Sequence, residues 1–259
     1  MRVLIFIVAY NASSHIAGVL TDIPESIFTD ARYQTDILII DDASPDNTFA
    51  IAKKFALTHN DLPITVLRNE SNRGYGGNQK LGYEYAISHG YDIVALLHGD
   101  GQYNPVLLPR LLEPLIVGKA DMVFGSRMIC KRQALKGGMP LYKFVGNIIL
   151  TSIQNKLLST KFSEFHSGYR LYLVSALTHI PFKYNSDYFD FDTHIIIQLS
   201  DQHYRIHEES IPTFYGDEIC HVNGLKYAIK IITSTLFSRL QKRGLYYHPR
   251  YDYSQLPRL

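Results

Sequence analysis

Apolar positions in the first half of the chain fall into short runs separated by segments of helical period. The runs are Val3–Tyr10, Ile37–Ile40, Ile64–Arg68, Ile93–Leu97 and Met122–Gly125. Several are almost uninterrupted, the pattern of strands covered on both faces rather than half-exposed ones. Helical periodicity occupies residues around 14–30, 46–58, 76–89 and 105–117. Ser13, Asp46 or Asn47, and Pro105 are credible starts for three of these helices. Regular strand–helix alternation predicts an α/β chain, Rossmann-like, with a mostly parallel sheet flanked by helices. The second half adds two amphipathic helices. One spans roughly 140–158 with a stripe of Leu141, Phe144, Val145, Ile148, Ile149, Ile153 and Leu157; the other spans 224–243 with Leu225, Ile229, Ile232, Leu236 and Leu240 on one face. A further helix starts near Phe189-Asp190-Phe191-Asp192, and the Tyr- and Pro-rich stretch 244–259 reads as an extended arm.

Composition changes this picture little. A chain of 259 residues that is 46% hydrophobic and 19% charged buries a substantial core and is not globally disordered. No apolar run reaches the 18 residues of a membrane span. The chain enters its first strand with no cleavable signal pattern, and Cys130 and Cys220 form neither a disulfide framework nor a metal spacing. Both features point to the cytoplasm.

Charge adds more. Residues 1–125 hold 9 Lys/Arg and 14 Asp/Glu, whereas residues 126–259 hold 17 and 10, so the halves stand near −5 and +7. An acidic first half suits cation chemistry; a basic second half suits phosphates or an anionic membrane surface. The basic residues are dispersed and no nucleic-acid-binding motif occurs, which argues against nucleic acid as a partner.

Candidate chemistry lies where the strands end, because ligands of open α/β sheets bind beyond the carboxyl ends of the strands. The first strand ends Ala9-Tyr10-Asn11. The second ends Asp41-Asp42-Ala43-Ser44-Pro45-Asp46-Asn47-Thr48, and the fourth ends His98-Gly99-Asp100-Gly101-Gln102. The third leads into Gly74-Tyr75-Gly76-Gly77-Asn78, a turn able to pass a phosphate or sugar close to backbone N–H groups. Neither a dinucleotide-binding nor a Walker-type glycine pattern is present. A carboxylate between two glycines, as at Asp100, is well placed to hold a divalent cation against phosphates, although Asp and Gly are also ordinary turn residues.

Taken together and in order, these elements resemble the family-2 nucleotide-sugar glycosyltransferases of GT-A fold. The matches are Ala9-Tyr10-Asn11, Asp41-Asp42-x-Ser44-x-Asp46-x-Thr48, Asn72-x-Gly74, Asp100-Gly101-Gln102 and Gly125-Ser126-Arg127. Ser167-Gly168-Tyr169-Arg170 looks like the Ser-Gly-Phe-Arg element of the dolichol-phosphate mannose synthase branch. The resemblance covers about residues 1–222 as a glycosyltransferase domain and leaves 223–259 as a C-terminal basic amphipathic helix and tail. It implies an inverting transferase that moves a sugar from a UDP- or GDP-type donor, with Mn²⁺ or Mg²⁺ as cofactor.

By the same resemblance, Tyr10, Asn11 and Asp42 sit at the nucleoside, Asp41 supports the turn, and Gly74, Asn78, His98 and Gly99 line the donor. Asp100 and Gln102 are the metal ligands, while Arg127 and Arg170 grip the diphosphate. Asp192 is the candidate that faces the acceptor; helix capping explains Asp190 or Asp192 equally well. The chain departs from the family in two places. His98 replaces the first carboxylate of the usual Asp-x-Asp, where an imidazole can ligate the metal, act through water or only pack, and favours Mn²⁺. His221 stands where a phosphate-binding Lys is expected. The acceptor implied is a polyprenyl phosphate, with a saccharide or glycolipid hydroxyl as the alternative. The basic helix at 224–243 fits either packing onto the domain or peripheral membrane contact, and leaves the oligomeric state open. Two rivals remain: a sugar-nucleotide pyrophosphorylase, disfavoured by Asn11-Ala-Ser-Ser-His15 after the first strand, and a non-catalytic sugar-nucleotide-binding subunit.

Overall fold

The structure is a computed structural model that describes residues 1–213, 224–254 and 256. Its elements follow in the order β1 (Arg2–Ala9), α1 (Ile16–Thr21), α2 (Ser26–Thr29), β2 (Gln34–Asp41), α3 (Thr48–Thr58), β3 (Ile64–Arg68), α4 (Tyr75–Ser88), β4 (Ile93–His98), α5 (Leu108–Ile116) and β5 (Met122–Ser126). Then come α6 (Lys131–Lys136), α7 (Leu141–Leu158), β6 (Arg170–Leu173), α8 (Val174–Thr178), α9 (Phe191–Asp201), β7 (Ile206–Ser210) and α10 (Gly224–Lys242). One seven-stranded sheet has the order β3-β2-β1-β4-β6-β5-β7. All neighbours pair in parallel except β6, which runs antiparallel to β4 and β5.

The five expected strands are present, and they are central because their side chains can be buried on both faces. Along β1, Val3, Ile5 and Ile7 point to one side with Ile37, Ile39, Ile93, Ala95 and Leu97, beneath α1, α2, α3 and α5. Leu4 and Phe6 point to the other with Leu38, Val94 and Leu96, beneath α4, α8 and α9. This is the period-two alternation of a pleated strand with apolar residues in both registers. β6 and β7 were not expected. Arg-Leu-Tyr-Leu is too short and starts too polar to stand out, and Ile-His-Glu-Glu-Ser is the half-polar sequence of an edge strand.

Helix boundaries differ where local chemistry intervenes. The segment 14–30 is two short helices, interrupted at Pro24, which has no N–H to give. The first begins at Ile16 rather than at Ser13, whose N–H instead donates to Asp46 Oδ2 (3.1 Å). Asp46 also accepts from Thr48 N (3.0 Å) at the start of α3. Against the upward push of burial, these bonds hold its carboxyl down to about 2.

The larger surprise is α7 and α10, which form as expected and pack against each other, but with much of each apolar stripe turned outward. The buried positions of α7 are Asn147, Thr151, Gln154 and Leu158, whereas Leu141, Val145 and Ile149 are exposed. In α10 the buried positions are Ile231, Thr235 and Ser238, with Leu225, Ile229 and Leu236 exposed. The stripes are split: Phe144 and Ile148 pack against Met128, Ala134 and Met139, while the fully buried positions are mostly polar. The tail folds back rather than extending: Arg250 donates through Nε to Tyr184 O (3.1 Å), its carbonyl accepts from Gln198 Nε2 (2.8 Å), and Tyr251 donates to Ser234 O (2.9 Å). The expected boundary at 222/223 lies outside the described residues.

Candidate active site

β1, β2 and β4 end side by side, with Val8 opposite His98 and Ala9 opposite Asp41. The antiparallel course of β6 brings its first residue to the same edge, Arg170 lying opposite Leu96. The sheet therefore places Tyr10, Asp41, Asp42, the His98–Gln102 loop, Arg127 and Ser167–Arg170 beyond one edge.

On the nucleoside side, Tyr10 is 50% exposed and presents its ring to solvent. Asn11 has a positive φ of 51° and its N–H donates to Ser44 Oγ (3.0 Å). Asp41 is fully buried; Oδ2 accepts from Ser44 N (3.3 Å) and pairs with Arg68 Nε (3.2 Å), while Oδ1 has no protein partner. Asp42 is the more occupied carboxylate. It accepts from Asn69 Nδ2 (2.7 Å), Arg73 N (2.8 Å) and Gly74 N (3.0 Å), so one of its roughly four acceptor sites stays open. The turn support expected of Asp41 is shared by Asp42, and an unused buried acceptor of the kind a base N–H needs is found on Asp41.

Most amides of the glycine-rich turn are taken by the chain itself. Asp42 takes the N–H groups of Arg73 and Gly74, and the Asp187 carbonyl takes those of Gly76 (2.8 Å) and Gly77 (3.4 Å). A Cβ at Gly76 would collide with Ser186 O and the Phe191 ring. Close packing of two chain segments, with φ +78° at Gly74, accounts for the glycines. Asn78 is likewise internal, donating from Nδ2 to Ile40 O (3.0 Å). Both Gly74 and Asn78 are thus engaged by the chain itself.

In the next loop, Asp100 is exposed and its Oδ1 accepts from Gln102 N (3.0 Å), which sets the turn. Gln102 is half-buried beside it, and Gly99 is buried against Ile16 and Ala9. His98 does not join them. Its ring lies edge-on to Tyr75 and Tyr103, and Nε2 is 3.2 Å from the Tyr75 hydroxyl. Because Tyr75 gives its own proton to Asp192 Oδ2 (2.9 Å), its oxygen accepts from His98 Nε2–H. Burial pushes the imidazole pKa down, keeping the ring neutral. Of the three uses open to His98, packing is the one this geometry supports. Gly168 explains the fit: a Cβ there would lie 2.7 Å from His98 Cε1 and 2.8 Å from the Tyr75 hydroxyl. Gly168 N also donates to Tyr103 OH (2.7 Å), tying the chain just after the 98–102 loop to the Ser-Gly element.

The two arginines differ. Arg170 has no exposed surface; Nε donates to Ser167 O (2.7 Å), one terminal nitrogen to Asp192 O (2.7 Å) and the other to Phe165 O (2.8 Å). Three of its five N–H donors go to backbone carbonyls inside the protein, so in this arrangement the guanidinium holds the chain together and is not presented at the surface. Arg170 instead anchors the start of β6 to α9. Arg127 keeps 11% of its side chain exposed and pairs in a fork with fully buried Glu164, which also accepts from Asn147 Nδ2 (2.9 Å) on α7. Burial alone would raise the Glu164 carboxyl, but the Arg127 charge and hydrogen bonds hold it low. Asp192 is enclosed: Oδ2 accepts from Tyr75, Oδ1 from Gln79 Nε2 (3.3 Å), and Arg170 Nε stands 3.8 Å away. Among the described residues, no three His, Cys, Asp or Glu side chains converge as a ready-made metal cage. His221 lies outside the described residues.

Glu164 and Tyr75 were not anticipated. Glu164 had one sequence signal, its place three residues before the Ser167–Arg170 element; Tyr75 had only its place in the glycine-rich turn.

A mostly parallel sheet with carboxylates and an arginine at one edge is consistent with a nucleotide-sugar-dependent glycosyltransferase. Residues 4–180 match glycosyl transferase family 2, and the chain belongs to that family. An undecaprenyl-phosphate mannosyltransferase of Micrococcus luteus is 30% identical over 186 residues, covering 68% of each chain. A UDP-N-acetylglucosamine–dolichyl-phosphate N-acetylglucosaminyltransferase of Methanococcus voltae is 27% identical over 225 residues, covering 83% of this chain and 86% of its own. Among solved structures, glucosyl-3-phosphoglycerate synthase from Mycobacterium tuberculosis, in complex with Mn²⁺, UDP and phosphoglyceric acid, has a TM-score of 0.64 at 17% identity. That likeness of fold covers 92% of this chain and 78% of the other.

Proposed function

We propose that the protein transfers a sugar, with inversion, from a UDP- or GDP-sugar to a polyprenyl phosphate at the cytoplasmic surface of a membrane. The observation that carries the choice of acceptor is the state of Asp192. A hydroxyl acceptor must lose a proton to a free, accessible base, whereas Asp192 is held by Tyr75, Gln79 and the Arg170 charge. A phosphate acceptor is already ionised and needs cationic positioning instead. Relatives named for polyprenyl-phosphate acceptors support the same reading.

Asp100 and Gln102 are the residues that would hold Mn²⁺ or Mg²⁺. An exposed carboxylate and a nearby amide oxygen suit a hard cation that takes its remaining ligands from water and substrate phosphates. Structural neighbours crystallised with Mn²⁺ or Mg²⁺ and UDP support a divalent cation as the cofactor. When bound, the cation neutralises charge on the departing nucleoside diphosphate. Arg127, oriented by Glu164 and with 11% of its side chain exposed, is the guanidinium assigned to the diphosphate. Tyr10 stacks on the base and Asp41 with Asp42 accepts from it. The acceptor phosphate oxygen then attacks the anomeric carbon from the face opposite the diphosphate.

The test is Asp192→Asn, which keeps the shape of the side chain and removes its charge. Transfer to a prenyl phosphate should stay within about tenfold of native, a loss consistent with disturbed packing around Arg170 rather than a missing base. Abolished transfer with intact donor binding and an unchanged thermal midpoint would favour a hydroxyl acceptor.

A further inference from the structure

The hydroxyl of Tyr75, at the start of α4, is a point where three other segments of the chain meet. It donates to Asp192 Oδ2 near the start of α9 (2.9 Å) and lies 3.2 Å from His98 Nε2 at the end of β4. A Cβ on Gly168, just before β6, would stand 2.8 Å from the same oxygen, so the Ser167–Arg170 element closes over it. Phe189 stacks on the Tyr75 ring, 5.0 Å between centroids, and fixes it from the other side.

The meeting point borders the loop that carries Asp100 and Gln102. His98 and Tyr103 stand at the two ends of that loop, and their rings touch edge-on with centroids 4.9 Å apart. The loop is thus pinched at its base, and each side of the pinch is tied further in. His98 is bonded to Tyr75, and the Tyr103 hydroxyl accepts from Gly168 N (2.7 Å). Asp192 meets Arg170 Nε only at 3.8 Å, so its carboxylate relies on Tyr75 and on Gln79 Nε2 (3.3 Å) for hydrogen bonds. Loss of the Tyr75 hydroxyl would leave a buried carboxylate short of a donor and the His98 N–H short of an acceptor.

We propose that Tyr75 is a positioning residue for the cation: its hydroxyl holds His98, and through His98 the base of the 98–102 loop, so that Asp100 and Gln102 face the donor diphosphate. The proposal rests on the reading of Asp100 and Gln102 as the residues that hold the cation, and adds what sets their position. It also gives the imidazole a use. His98 has an N–H to give to the tyrosine oxygen, whereas an ionised carboxylate at that place would have no proton to offer and would stand close to the Asp192 charge.

The experiment is calorimetric titration with UDP and with GDP, each with and without Mn²⁺, of the native chain, Tyr75→Phe, His98→Leu and His98→Gln. Tyr75→Phe keeps the ring that stacks on Phe189 and removes one oxygen. It should weaken Mn²⁺-dependent nucleotide binding by about tenfold or more and leave cation-free binding within about twofold of native. His98→Leu should do the same, and joining it to Tyr75→Phe should add little, because both remove one bond. His98→Gln, whose amide N–H can reach the tyrosine oxygen, should recover most of the loss. A group that only stabilised the fold would lower the thermal midpoint and weaken binding equally with and without the cation. That equal loss, native-like Mn²⁺ dependence in Tyr75→Phe, or a His98→Gln no better than His98→Leu overturns the proposal. Should Tyr75→Phe not fold, the two His98 variants decide the matter. Asp100→Asn, titrated alongside, separates this role from the reading beneath it. If Asp100→Asn loses the Mn²⁺ dependence while Tyr75→Phe keeps it, the positioning role alone falls. If Asp100→Asn keeps it, the cation assignment falls, and a native chain indifferent to Mn²⁺ overturns both.

Discussion

On β1 and β4, Ile5, Phe6, Ala95 and Leu96 have no exposure to water, whereas on α7 Ile149 is 53% exposed and Gln154 is sealed inside. Both regions are rich in aliphatic residues, and both form the secondary structure their patterns predict. They differ in what the apolar side chains are for. In the sheet they make the core, and polar groups are kept to the strand ends where they become the site. In the α7–α10 pair the buried positions are mostly polar, Asn147, Thr151, Gln154, Thr235 and Ser238 beside Leu158 and Ile231, while Leu141, Val145, Ile149, Leu225, Ile229 and Leu236 stay exposed. A hydrophobic stripe thus fixes a helix without saying which way it faces.

The comparison makes energetic predictions. Phe6 touches Tyr83 edge-on and fills the sheet–helix layer, so Phe6→Ala should cost about 4 kcal/mol in denaturant unfolding. A loss under about 1 kcal/mol would mean that the layer is not tightly packed. Gln154 is buried with neither amide atom partnered in the protein. Gln154→Met, of similar length, should therefore stabilise by about 1 kcal/mol, since it removes two unmet polar atoms. A loss of comparable size would show that the amide is satisfied and that the polar face of α7 is a working network. Smallest of all, Ile149→Ser should change stability in water by no more than about 0.5 kcal/mol, as for an ordinary surface position. A core-like cost there would put the stripe inside after all.

The sequence disclosed these regions unevenly, for physical reasons. Runs such as Ile-Val-Ala-Leu-Leu fit strands covered on both sides, and their alternation with helical segments implied the mostly parallel sheet. β6 and β7 escaped notice because a four-residue strand and a half-polar edge strand carry little periodic signal. At the site, positions were legible and some environments were not. Arg170 and Arg127 each sit in a motif, yet only the folded chain shows one enclosed by carbonyls and the other paired with Glu164 and still partly exposed. His98 looked like an altered metal ligand; its neutral ring, wedged between Tyr75, Tyr103 and Gly168, depends on contacts 23 and 70 positions away in the chain. The glycine-rich turn read as a ligand cradle because glycine permits close approach, and it does so here to the chain's own 186–191 segment.

The account turns on Asp100. The most direct measurement incubates the native chain and Asp100→Asn with labelled UDP- and GDP-sugars, a prenyl phosphate and Mn²⁺, then follows the label into the lipid extract. Asp100→Asn preserves size and the turn but removes the negative charge at the candidate cation site. The native chain should move label into lipid with one of the donors, and only with the divalent cation present. The variant should lose at least about a hundredfold in that activity, as expected when the group that fixes transition-state charge is removed. Near-native transfer by Asp100→Asn in Mn²⁺, or native transfer indifferent to chelation, would contradict the placement of the cation and the mechanism built on it.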